Sequence, residues 1–198
     1  MARILGNFHL ALLIGIVLLA AAMFGLHGDM MSGDYWAQFL RYLHVLAGIL
    51  WIGLLYYFNF VQIPTMPKID PPELKRGVTG FIAPAALFWF RWAALATVIL
   101  GLLLGEMIRP GYDADALTLE PGLRTIGIGM WLGIVMAANV WFVIWPNQKK
   151  ALGIVQADDA AKARAGSIAM MASRTNLILS LPMLYCMIMG GHETQIGG

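Results

Sequence analysis

Apolar residues fall into five long runs, about residues 4–26, 36–63, 81–107, 123–145 and 174–190, with short polar stretches between them. Each is near the ~20 residues a helix needs to cross the hydrocarbon core of a bilayer. The second run reads YLHVLAGILWIGLLYYFNFVQIPTMP from Tyr42 to Pro67 and carries no formal charge. It does hold His44, Asn59 and Gln62. At 3.6 residues per turn, His44, Gly48, Trp51, Leu55, Asn59 and Gln62 lie along one side. A polar side chain in lipid is costly, so that stripe is expected to face protein, water or a cofactor. Pro64, Pro67, Pro71 and Pro72 are expected to break the run and stiffen the turn after it. The third run has Arg91 near its middle and Glu106 at its far end. The fourth contains Asn139 and stops at Trp145-Pro146. An Ala-rich helix over 157–173 is expected to continue into the fifth run, which Arg174 and Asn176 open and Pro182 kinks. The pattern predicts an all-α polytopic membrane protein, one domain over 1–198 with about five transmembrane helices in a bundle.

Composition agrees. The 198 residues are 60% hydrophobic and 12% charged, where a soluble domain is about half apolar and about a quarter charged. Mean hydropathy is +0.73. Arg3, Lys68, Lys75, Arg76, Lys149, Lys150, Lys162 and Arg164 fall on one side of the expected topology, and Arg41, Arg109 and Arg124 on the other. The positive-inside rule puts the N-terminus in the cytoplasm and the C-terminus outside, for a multi-pass protein of a bacterial inner membrane. Arg3, an apolar core and Ala20-Ala21-Ala22 have the outline of a signal peptide, read here as a retained helix. The single cysteine, Cys186, excludes an internal disulfide. No CxxCH is present, which excludes covalent c-type haem, and there is no CxxC zinc pattern or P-loop. Gly127 and Gly129 follow no strand and read as small residues for close helix contact. The basic loops are too short and scattered for a nucleic-acid surface.

Three sets of residues offer chemistry. An intramembrane imidazole suits an axial ligand for b-type haem, and Gly48, one turn beyond His44, would leave room for the porphyrin face. The plainer reading of His44 is a hydrogen bond to a neighbouring helix. His27, His44, Glu106, His192 and Glu193 share the outer side, either as a copper or zinc site or as interfacial and solvated groups. Arg91 needs a partner at its depth. It is a site for an anionic group (haem propionate, lipid headgroup or anionic substrate) or a hydrogen-bond hub with Asn59, Gln62 or Asn139. Arg174 and Asn176 either line the same inner cavity or, for Arg174, snorkel to the headgroups.

The segments LHVLAGILWIGLLYYFNFVQIP (43–64), WFRWAALAT (89–97), NVWFVIWPNQKKALG (139–153) and ASRTNLILSLPML (172–184) resemble the membrane domain of the bacterial cytochrome-linked urate oxidases. The central helix is also loosely similar to the His-bearing helix of membrane-type protoporphyrinogen oxidases. The resemblance implies a membrane subunit of a redox system. Haem or a quinol-type or purine-type substrate would lie between helices two to five. Electrons would pass to a separate cytochrome c or a larger oxidoreductase. On this reading His44, Gly48 and Arg91 hold the cofactor, and Asn59, Gln62, Asn139, Arg174 and Asn176 line a substrate cavity. The rival expectation is a non-catalytic accessory subunit that stabilises a larger membrane complex.

Overall fold

The computed structural model describes residues 5–191. The chain divides into two compact units, Met1–Phe39 and Leu40–Gly198. In the first, helix α1 (Phe8–His27) opens at Asn7, whose side-chain oxygen accepts from the Leu10 N–H at 3.2 Å. This satisfies one of the donors that a helix start leaves unpaired. None of the residues of α1 is buried. Helix α2 (Gly33–Tyr56) begins in this unit and runs into the second.

The second unit is built from α2, α3 (Ala83–Ile108), the short α4 (Tyr112–Leu117), α5 (Arg124–Asn139), α6 (Trp145–Ala151) and α7 (Asp159–Gly190). No strand occurs among the described residues, so the all-α expectation holds. Four helical stretches are long and apolar enough to cross a membrane: Phe8–Met30, Gly33–Lys68, Pro72–Ile108 and Arg124–Ala151. The expected fifth span is not among them. It exists as the second half of α7, which runs 32 residues with Pro182 inside it. Arg174, which is exposed, lowers its hydropathy most, and Ser173, Asn176 and Ser180, which lower it further, are buried.

The helical stretch ends at Lys68, before Pro71 and Pro72, but Pro64 and Pro146 do not end their helices as the sequence suggested. The Pro64 break is corrected to a wide turn through which the helix continues. The same device occurs three times. In π-helical turns over Tyr57–Gln62, Val78–Ile82 and Val140–Ile144, the residue just before a proline donates its N–H five residues back. Ile63 bonds Phe58, Ala83 bonds Val78, and Trp145 bonds Val140. Pro64, Pro84 and Pro146 follow. A proline has no N–H to give and its ring collides with the carbonyl four residues earlier. Widening the preceding turn moves that carbonyl aside and lets the helix go on.

The core lies where α2, α3, α5 and α7 converge. Trp51, Leu55, Phe90, Met136 and Val140 are all buried, and Phe58 meets Phe90 edge to face at 5.6 Å. The small residues do what their spacing implied. A methyl on Gly129 would touch Cys186 of α7 at 3.1 Å, and one on Gly127 would strike the carbonyl of Ala116. Glycine there lets backbones approach closely. Past α3 the chain turns at Gly111, whose φ of +80° suits glycine. Arg109 pairs with Asp115 at 2.6 Å in this exposed turn.

Candidate functional site

Polar side chains on α2, α5 and α7 meet near the wide turns. Asn139 donates to the Ala172 carbonyl at 2.9 Å and to Oδ1 of Asn176 at 2.7 Å. Asn176, fully buried, donates to the Met136 carbonyl at 3.0 Å. These two amides satisfy each other, so this part of the expected cavity is a packed network. Tyr56 and Ser180 add a hydroxyl contact of 3.2 Å one level along.

Asn59 belongs to a different environment. Its amide nitrogen donates to the Leu55 carbonyl and to Oγ of Ser173, both at 2.9 Å. Its Oδ1 is buried with no partner, and so is Oε1 of Gln62. Ser173 and Gln62 line a cleft of about 340 Å³. Phe58, Met66, Leu87, Phe90 and Ile144 supply its apolar walls and Gln148 a further polar group. A carboxamide oxygen shut away from water without a donor costs about 1–3 kcal/mol. The Gln62 oxygen, in the cleft wall, would be satisfied by a ligand that brings N–H or O–H groups, while Asn59 stands behind the wall, bonded to the lining Ser173. The wide turns set this geometry, since Phe58 and Gln62 sit in the first and Ile144 in the third.

His44 lies at the other end of the same stripe. Its Nδ1 is 2.8 Å from the Thr97 carbonyl oxygen. A carbonyl only accepts, so Nδ1 carries a proton, and in the neutral form of the ring the lone pair is on Nε2. Gly101 makes the approach possible, since a Cβ there would meet Cε1 of His44 at 2.9 Å. Gly48 faces the Thr97 methyl, 3.8 Å from where its own Cβ would be.

Arg91 joins neither group. Its guanidinium carbon is 3.9 Å from the centroid of the Trp145 ring and 5.2 Å from that of Phe88. Its carbonyl accepts from Nε1 of Trp141 at 3.1 Å. It is therefore not the hub for Asn59, Gln62 and Asn139 that was one of its two expected roles. Arg174 is exposed and does not line the cleft. Among the described residues no group of three His, Cys, Asp or Glu could hold a metal ion. His192 and Glu193 lie outside the described residues. Sequence reasoning missed Ser180 and Gln148. Ser180 was within reach, because Ser173, Asn176 and Ser180 recur at helical spacing on one face of α7.

Residues 123–196 match the family described as urate oxidase N-terminal. That is a little over a third of the chain. Its described part comprises α5, the wide turn at Val140–Ile144, α6 and α7, which bear the Asn139–Asn176 network and the Ser173 side of the cleft. No curated protein and no solved structure matches the chain.

Proposed function

We propose that this chain is the membrane subunit of a redox system related to urate oxidation, and that the cleft beside Gln62 and Ser173 receives its substrate. The buried, unpartnered oxygen of Gln62 in the cleft wall carries this reading. A small planar heterocycle with several N–H groups, of which a purine such as urate is one, would satisfy it. Phe58 and Phe90 offer rings to pack against it. The family match over the α5–α7 wall supports the same chemistry. Electrons from the substrate would pass to a separate cytochrome or a larger oxidoreductase.

His44 is the residue that would hold a b-type haem. Its Nδ1 is fixed by Thr97, which orients the ring and leaves Nε2 as the ligand atom. Such a haem would supply one-electron transfer between substrate and cytochrome. Among the described residues of the second unit His44 is the only histidine.

Membranes containing the chain, given a cytochrome c acceptor, are expected to consume uric acid. Gln62→Leu is expected to lower kcat/KM about tenfold, the size of one buried hydrogen bond. No loss of uric acid in the presence of the acceptor would contradict the proposal.

A further inference from the structure

We propose that Arg91 and Lys149 form a binding site for the phosphate of an anionic phospholipid, built on the indole of Trp145. Arg91 stacks on this ring at 3.9 Å and Nζ of Lys149 lies 5.7 Å from it. Two cations thus lie against one indole ring, which favours each of them. Neither has a carboxylate within ion-pair distance among the described residues, where the two ion pairs are Arg109–Asp115 and Lys162–Asp159. Stacking uses the flat face of a guanidinium and leaves the N–H groups along its edge free to meet phosphate oxygens.

The setting selects a lipid over a free anion. Phe88 touches both Trp89 and Trp92, at 5.6 and 6.4 Å between ring centroids, and Trp92 packs edge to face on Trp141 at 5.3 Å. Trp89 is 57% exposed and Trp92 46%. These rings continue the cationic spot into an apolar surface that acyl chains would cover and free phosphate would not use. Indole rings and basic side chains also gather where headgroups meet hydrocarbon. Lys149 lies in the last turn of α6, at the end of the span Arg124–Ala151. The stacking places the Arg91 guanidinium beside Trp145, six residues before that end, which fits a headgroup better than the bilayer centre. The site does not depend on the redox reading.

The test is native mass spectrometry of the detergent-purified chain titrated with phosphatidylglycerol or phosphatidylcholine. The wild type is expected to retain phosphatidylglycerol at least about tenfold more strongly, and Arg91→Ala with Lys149→Ala to abolish the preference. Lys149→Ala alone, at the helix end, is expected to lose about fivefold and serves if the Arg91 variant does not fold. Equal retention of both lipids by the wild type would overturn the proposal. So would an unchanged preference in the variants. Displacement of the lipid by millimolar inorganic phosphate would assign the pair to a free anion instead.

Discussion

At position 101 the absence of one methyl decides whether His44 can reach Thr97. Gly101→Ala would put a carbon 2.9 Å from Cε1 of His44, so the ring must move and its 2.8 Å bond to Thr97 is lost. The expected cost is about 1–3 kcal/mol, read as a lower unfolding midpoint in detergent. A reduced-minus-oxidised spectrum should lose any b-type band in the same variant. Asp113 gives a second residue-scale prediction. It is buried, its Oδ1 has no partner, and it lies against Gly105. Burial first, and the charge of Glu106 second, push its carboxyl above the ordinary carboxylate range. The folded state therefore keeps this proton after the unfolded chain has released it. The stability it contributes is full below the unfolded pKa and is lost as pH rises through the folded one. Unfolding midpoints should fall as pH rises from the ordinary carboxylate range, and Asp113→Asn should remove that part of the slope.

The three wide turns are the informative elements. Each exists because a proline sits in the next helical position, and each is readable in hindsight as a run of apolar residues that ends in proline yet continues helical. Periodicity assumes 3.6 residues per turn throughout, so it reports neither the extra residue in such a turn nor the change of face after it. That is why the stripe from His44 to Leu55 was legible while Gln148 was not, for Gln148 reaches the cleft only after the turn at Val140–Ile144. Pro146→Ala restores an N–H and allows regular winding. The expected result is an unchanged or slightly higher midpoint together with weaker ligand binding, because Ile144 and Gln148 rotate relative to Gln62. Equal loss of both properties would mean that the proline only supports the fold.

For the whole molecule, apolar run length gave the helices, including the continuous helix α7 (Asp159–Gly190). Its Ser173, Asn176 and Ser180 lie inward, so the polar content of its second half is part of the helix interface. Charge alone could not place Arg91, because its partner is an aromatic ring on another helix and not an acid. The family match covers the half of the cleft wall supplied by α5 to α7, while Gln62 comes from the wide turn Tyr57–Gln62 that follows α2. Both halves are needed for the central claim, that this cleft binds an N–H-bearing heterocycle. Equilibrium dialysis of labelled urate against the detergent-purified chain tests it most directly. The account predicts saturable binding that weakens about tenfold in Gln62→Leu and is unaffected by Arg174→Ala. Binding that ignores Gln62, or no binding by a folded chain, would contradict it.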